Sequence, residues 1–188
     1  MGISLQKGQR ISLSKDAPGL SEIMVGLGWD QVKSGEQIDC DASVLMLGAD
    51  DKLEDKNNII YFGNLTSKCK SVEHKGDNLT GEGEGDDEQV VVNLPGIPPG
   101  VQKLVFVVNI YKSKERKQHF GMIRNAFIRI VNLSDKKEMA RFNLTEEYAD
   151  RTSLTVAEIY RHNDEWKFAA VGQGSDDVSL SDMVKKYK

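Results

Sequence analysis

The sequence predicts an all-β protein, a β-sandwich of two mainly antiparallel sheets with little helix. Roughly nine or ten short apolar runs, rich in Val, Ile and aromatic residues, are bounded by Gly, Asp or Asn. Helical spacing of apolar residues is scarce by comparison. Many short strands separated by turns are typical of a sandwich or barrel. With 188 residues, of which 39% are hydrophobic, the chain is long enough to bury one sizeable core.

The predicted strands follow in order along the chain. A turn at residues 95–100, PGIPPG, separates two of them, because neither a helix nor a central strand accommodates three prolines so close together. The predicted strands are residues 24–29, 42–47, 58–62, 89–94, 103–111, 126–131, 138–144, 154–161 and 166–171.

Helix is expected in two places. Residues 113–122 are polar enough for a turn or two between strands. Met183, Val184 and Tyr187 have the spacing of a short helix within a polar C-terminal tail, residues 175–188. No internal repeat and no linker divides the rest, so we expect one domain over residues 1–174.

Composition and charge limit the classes of function. A net charge of −4 gives no general attraction to nucleic acid or to anionic membranes. Neither a secretory signal nor an apolar stretch long enough to span a membrane is visible, which predicts a cytoplasmic protein without membrane insertion. Cys40 and Cys69 form no CxxC pair, and we expect reduced thiols; a bridge between them is the less favoured alternative.

The segment GDNLTGEGEGDDE, residues 76–88, carries the strongest chemical signal. Six of its thirteen residues are acids and four are glycines. Ca²⁺ takes six to eight hard oxygens from carboxylates and carbonyls, and glycines allow carbonyls to turn inward. The segment contains no His or Cys, which argues against zinc, iron or copper. A solvated acidic linker is the alternative interpretation, and the spacing does not match an EF-hand.

Three further acids stand at the ends of predicted strands. In IDCDAS, Asp39 and Asp41 are two residues apart, so both point to one face of a strand while Cys40 points to the other. GLGWD ends a strand in Asp30. Singly, such acids usually mark turns. Together with the acidic segment they predict a cation-binding end of the sandwich.

Several motifs together resemble the TerD-type tellurium-resistance and stress proteins of bacteria. They include KGQRISLSKDAPGL, VGLGWD, DCDAS, GDNLTGEGEGDDE and LTEEYADRTSLTVAEIYRHNDEWKFAAVGQG. The resemblance implies a β-sandwich that binds Ca²⁺, usually two ions, and that acts with other proteins of a stress or tellurium-resistance system. The ligands that it implies are Asp77, Asn78, Gly81, Glu82, Glu84, Asp86, Asp87 and Glu88, with Asp30, Asp39 and Asp41 as companions.

An enzyme is the competing hypothesis. A thiol- or metal-dependent enzyme acting on toxic oxyanions such as tellurite would use Cys40, Cys69 or the carboxylates. No paired-His motif, nucleophile elbow or phosphate-binding loop is present, and alternation places Cys40 in the core. We expect His74 to be a solvated loop residue. The sequence therefore favours a non-enzymatic binding module.

Overall fold

The computed structural model describes residues 2–31, 38–76, 85–144 and 148–188, and within them the chain is mainly strand. The strands are β1 (Ile3–Leu5), β2 (Arg10–Ser12), β3 (Glu22–Gln31), β4 (Cys40–Leu47), β5 (Ile59–Ile60), β6 (Val72–His74), β7 (Glu88–Asn93), β8 (Lys103–Ile110), β9 (Ile123–Asn132), β10 (Lys137–Asn143), β11 (Ser153–His162) and β12 (Glu165–Ser175). The helices are α1 (Leu13–Asp16), α2 (Ser113–Arg116) and α3 (Leu180–Val184), with four 3₁₀ turns at Lys56–Asn58, Leu94–Gly96, Phe120–Met122 and Lys185–Tyr187.

The described strands form two six-stranded sheets. The first has the order β1-β10-β9-β3-β7-β6 and the second β2-β12-β11-β8-β4-β5. Pairing is antiparallel except between β1 and β10. The predicted all-β sandwich is confirmed.

The core lies between the sheets because the strands alternate. In β7, Glu88, Val90 and Val92 are buried while the residues between them are half-buried. In β4, Cys40 and Ala42 belong to the same core cluster. Inward residues from both sheets fill the space between them, as in other sandwiches.

All nine predicted strands overlap strands of the structure, although β5 is shorter than predicted. Sequence reasoning missed β1, β2 and β6, each of three residues. Three residues show too little alternation to distinguish a strand from a loop, and these strands exist because a neighbouring strand pairs with them.

The C-terminal segment is a docked element. The side chain of Ser179 caps α3 by accepting a hydrogen bond from the amide of Asp182. Met183 and Val184 are buried against the outer face of the second sheet, where they cover Leu45 and Val107. The segment predicted as a polar tail therefore forms a second, smaller core. No helix in the described residues is long and apolar enough to cross a membrane.

Candidate metal centre

The acidic segment enters β7 at one end of the first sheet. Its last four residues, Gly85 to Glu88, are described, whereas residues 77–84 lie outside the described residues. Five predicted ligands therefore have no described position: Asp77, Asn78, Gly81, Glu82 and Glu84. The structure places the remaining six, and it gives the consecutive acids Asp86, Asp87 and Glu88 three different environments.

Asp86 forms an ion pair on the outer face of the first sheet. Its two oxygens accept hydrogen bonds from Nε and Nη2 of Arg129 at 2.7 and 2.9 Å, and its side chain is fully buried. The pair fits because Gly26 lies beneath it: a Cβ at Gly26 would stand 2.3 Å from the Asp86 carboxyl carbon. Asp86 raises the pKa of Arg129. The charge of Asp86 is thus balanced within the protein.

Glu88 points the opposite way, into the core, and connects the two sheets. One carboxylate oxygen accepts a hydrogen bond from the amide of Ala42 at 2.7 Å. Strand β5 pairs with β4 only at Val44 and Leu45, so Glu88 supplies the acceptor that β5 does not reach. A buried backbone N–H needs such a partner.

His74 packs against Glu88, and the expectation of a solvated loop residue is wrong. His74 is 2% exposed, and its Nε2 lies 3.4 Å from the Glu88 carboxylate. Its Nδ1 accepts a hydrogen bond from the amide of Gly76, so Nε2 carries the proton of the neutral ring. Glu88 therefore sits between a backbone donor and an imidazole.

Asp87 stands between Asp86 and Glu88 in the sequence, near the end of the acidic segment. Its carboxylate accepts a hydrogen bond from the amide of Trp29 at 2.7 Å, and its own amide donates to the carbonyl of Leu27. Burial raises the pKa of Asp87; the Trp29 hydrogen bond opposes this, and the carboxylates of Asp30 and Asp86 add to it. Asp87 is thus an oriented carboxylate in a negative environment.

Asp30 completes the described acids at the end of β3. It is exposed, and one oxygen accepts a hydrogen bond from the side-chain amide of Asn125 at 2.6 Å. Asn125 holds a left-handed backbone, with φ of 53°, opposite a register shift in β3 between Gly28 and Asp30. This irregularity sets the direction of the Asp30 side chain beside Asp87.

Cys40 is a buried thiol whose pKa responds to four carboxylates. Burial raises the pKa of this thiol well above its usual range, and the charges of Glu88, Asp41, Asp39 and Asp87 raise it further. The predicted alternation is confirmed for Cys40, which is fully buried in the core. A thiol in such surroundings stays protonated, and the thiolate is the nucleophilic form.

Asp41 points away from the core, onto the outer face of the second sheet. It stands directly opposite Asn109 in the pairing of β4 with β8, and the Asn109 amide approaches its carboxylate at 3.5 Å. Asp39 precedes the strand, and its carbonyl accepts a hydrogen bond from the amide of Tyr111. Asp41 and Asp86 thus lie on different surfaces of the protein. Asp41 is on the outer face of the second sheet, and Asp86 is on the outer face of the first.

Cys69 is half-buried, in contrast to Cys40. Both cysteines are free thiols. Burial raises the pKa of Cys69, but hydrogen bonds with Ser67 and Ser71 outweigh burial and lower it.

The described residues alone do not form a complete ion site: among them, no group of three or more His, Cys, Asp or Glu side chains is arranged to hold a metal. The donors nevertheless suit a hard cation, because Asp30 and Asp87 both present carboxylate oxygens.

Comparison with known proteins gives the family. The family model for the TerD domain matches residues 1–187. The chain belongs to the TerD family. The TerD match extends past residue 174 and includes α3, in the segment that the sequence analysis places outside the domain.

Relatives of the TerD family resemble this chain over nearly all of its length. The stress response protein SCP2 of Bacillus subtilis (strain 168) is 57% identical over 100% of both chains. The tellurium resistance protein TerD of Serratia marcescens is 47% identical, and the match covers 93% of this chain and 91% of that one. A crystal structure of a homologue of telluride resistance protein (TerD) from Streptomyces coelicolor A3(2) has a TM-score of 0.73 at 19% identity, with 90% and 99% coverage, which shows a shared fold.

Sequence reasoning missed the basic partners of the TerD acids, Arg129 and His74. Arg129 comes from FIRIVN, where alternation places it outward, but nothing local points to Asp86. One signal was present: Gly26 in VGLGWD is a glycine inside a strand, which often marks a close approach by another group.

Proposed function

We propose that this TerD-family chain is a non-enzymatic, cytoplasmic Ca²⁺-binding protein of the stress and tellurium-resistance type that acts through protein partners. The observation that carries the proposal is the position of Asp87. It is an oriented carboxylate near the end of the acidic segment, with the negative charge of Asp30 nearby, while Arg129 balances the charge of Asp86. A bound cation removes that repulsion.

The proposed ligands divide into two groups. Asp87 and Asp30 supply oxygens from the framework of the sandwich, and the segment supplies the others, namely Asp77, Asn78, Gly81, Glu82 and Glu84. Ca²⁺ fits this donor set better than Mg²⁺, because it accepts many oxygens at flexible angles. The resemblance implies two neighbouring ions, with Asp30, Asp39 and Asp41 as companion ligands. Of these we retain Asp30 and Asp39 in the proposal, because Asp41 faces Asn109 on the outer face of the second sheet.

Asp86 and Glu88 have a positioning role in this proposal. Arg129 holds Asp86 on one face of the sheet, and Ala42 and His74 hold Glu88 on the other. Asp87 is fixed between two anchored neighbours and by the amide of Trp29. Its carboxylate is therefore oriented before an ion arrives, which reduces the entropy that binding costs.

The thiol-enzyme alternative has weaker support. Cys40 is fully buried, and its raised pKa keeps it protonated. Cys69 has a lowered pKa, but its hydrogen-bond partners are the hydroxyls of Ser67 and Ser71, which are poor general bases at neutral pH. A nucleophilic mechanism needs a base in contact with the thiol.

The biological role rests on the relatives. SCP2 is named a stress response protein and TerD a tellurium resistance protein, and both match this chain over nine-tenths or more of its length. We propose the same role here, carried out by a Ca²⁺-ordered end of the sandwich that other proteins of the system recognise. The net charge of −4 does not favour nucleic acid as the partner.

A calorimetric Ca²⁺ titration of chelator-stripped protein tests the proposal. The wild type should give saturable binding, Asp87→Asn should lose at least about tenfold in affinity, and Asp135→Asn, a turn acid between β9 and β10, should bind as the wild type does. Asp86→Asn is a poor test because it weakens the ion pair with Arg129, which would keep Glu138 as its remaining acidic partner. Absence of binding, or equal binding by Asp87→Asn, would contradict the proposed site.

A second variant separates the two classes of function. Cys40→Ser with Cys69→Ser should retain Ca²⁺ binding and the resistance phenotype of cells challenged with tellurite. Loss of resistance with Ca²⁺ binding intact would favour the thiol-enzyme hypothesis instead.

A further inference from the structure

A cavity of about 450 Å³ opens on the outer face of the second sheet, away from the acidic segment. It lies between α2, the beginning of α3 and the turn that carries Tyr61 and Phe62. Its volume is within the range of small-molecule sites in proteins. Neither the core nor the proposed Ca²⁺ site accounts for it.

Four buried polar side chains form the floor of this cavity. Asp41 on β4 stands opposite Asn109 on β8, and Ser43 is the next outward residue of β4. Ser113 begins α2 at the side. The exposed fractions of Asp41, Asn109, Ser43 and Ser113 are 6, 5, 1 and 1%, respectively.

Three oxygens of the floor lack a hydrogen-bond partner anywhere in the described parts of the chain. They are Oδ1 of Asn109, Oγ of Ser43 and Oγ of Ser113. Leaving a buried polar atom unsatisfied costs about 1–3 kcal/mol, so three of them in one cavity point to a partner from outside the chain. Because the Asn109 amide nitrogen faces Asp41, the amide oxygen is the free group, and it accepts hydrogen bonds only.

Aromatic rings form the rim. Phe62 and Tyr111 are 50% and 40% exposed, and Tyr61 contacts Phe62 edge to face, with ring centres 5.2 Å apart. Such rings offer flat apolar surfaces above a hydrogen-bonding floor.

The charges that line the cavity are mixed, with Lys112 and Lys114 beside Glu115 at the mouth and Asp41 on the floor. Lys112 and Arg116 already stand over the ring of Tyr111, at 5.4 and 5.6 Å from its centre. Lys114 also lines the cavity. Any ligand, cationic or neutral, would have to compete with Lys112 and Arg116 for the face of Tyr111. Phe62, which is 50% exposed, is the ring of the rim that offers its surface to a neutral ligand.

We propose that this cavity binds a polyhydroxylated ring, either a free saccharide or the sugar part of a phosphorylated metabolite. Ring hydroxyls donate to Asp41 and Asn109 and exchange hydrogen bonds with Ser43 and Ser113. The apolar face of the ring packs on Phe62, and Lys112 and Lys114 receive a phosphate where one is present. The proposal is independent of Ca²⁺ binding, and it gives Asp41 a role other than metal ligation.

The test is a titration followed by the NMR signals of the Asn109 side-chain amide and by calorimetry. The probes are glucose, galactose and ribose, then glucose 6-phosphate, with inorganic phosphate as the comparison. We expect saturable binding of at least one sugar at millimolar concentration. Tighter binding of glucose 6-phosphate than of glucose, with the difference lost in Lys112→Ala, would identify a phosphorylated sugar as the ligand. Equal affinities for glucose and glucose 6-phosphate would identify a free saccharide.

The double variant Ser43→Ala/Ser113→Ala should weaken sugar binding by about tenfold or more, since it removes two hydrogen-bonding groups. Its free energy of unfolding should not fall, because neither hydroxyl has a partner in the described parts of the chain, and its Ca²⁺ titration should match that of the wild type. Ser4→Ala, an exposed serine of β1, is the matched control. No saturable sugar binding, equal binding by the double variant, or binding of inorganic phosphate as tight as that of glucose 6-phosphate would each overturn the proposal.

Discussion

At the scale of the residue, Asp86 and Asp87 are neighbours with opposite surroundings. Asp86 is buried on the sheet against Arg129, while Asp87 meets the amide of Trp29 and the charge of Asp30. Both belong to one acidic segment, yet one contributes to the fold and the other is a candidate ligand. The difference depends on the partner that each side chain meets just before β7 begins: Arg129 for Asp86 and the amide of Trp29 for Asp87.

Gly26→Ala tests how the Asp86–Arg129 pair is held. The new Cβ would stand 2.3 Å from the Asp86 carboxyl carbon, so the carboxylate must move away from Arg129. We expect the free energy of unfolding to fall by about 2 kcal/mol or more, as measured by urea denaturation. Gly100→Ala is the matched control: a Cβ at Gly100 would meet no atom within 4 Å, and its effect should stay within about 0.5 kcal/mol. Equal stability of the two variants would show that Asp86 is not confined.

The different roles of these acids could not be predicted from the sequence. Composition correctly marked residues 76–88 as unusual, but it could not separate Asp86 and Glu88 from Asp87. Their partners, Arg129, Ala42 and His74, are distant in sequence or follow from strand pairing. The error over His74 has the same origin, because its burial depends on Glu88 arriving from another strand.

At the scale of the element, the C-terminal segment is the main departure from expectation. The spacing of Met183, Val184 and Tyr187 indicated a helix, and α3 with the following 3₁₀ turn occupies that position. The sequence did not reveal the surface that it covers. Leu45 and Val107 lie on strands that have apolar residues on both faces. Only the folded structure shows that Met183 and Val184 pack on the outer one of these faces.

Met183→Ala should therefore destabilise the whole protein. Met183 is fully buried between α3 and the sheet, and removing a buried Met side chain costs about 2–5 kcal/mol. We expect the lower end, about 2 kcal/mol, because undocking of a terminal segment limits the loss. Chemical denaturation measures it, with Ser181→Ala on the exposed side of α3 as the control. An unchanged denaturation midpoint for Met183→Ala would show that the segment is not part of the cooperative core.

At the scale of the whole molecule, one carboxylate joins the two sheets near the candidate metal centre. Glu88 belongs to the first sheet and accepts a hydrogen bond from Ala42 of the second. The number and order of most strands followed from alternation and turns. The order of the strands within each sheet, which brings β7 close to β4, could not be predicted from the sequence, because strand pairing is a property of the complete fold.

The proposed ligand Asp87 is the neighbour of Glu88, which joins the two sheets. An ion bound by Asp87 and Asp30 would fix the end of β3 against the beginning of β7, in the same place where Glu88 connects to β4. Binding should consequently stabilise the native state as a whole, by the free energy of binding to the folded form alone.

The measurement that tests the central claim most directly is the thermal melt of chelator-stripped protein with and without Ca²⁺. At 100 times the dissociation constant, a ligand of the native state adds about 2.7 kcal/mol, which raises Tm by about 5–10 °C for a chain of this size. We predict that shift for the wild type and for Asp135→Asn, and a much smaller one for Asp87→Asn. An identical Tm with and without Ca²⁺ in the wild type, or an undiminished shift in Asp87→Asn, would contradict the account.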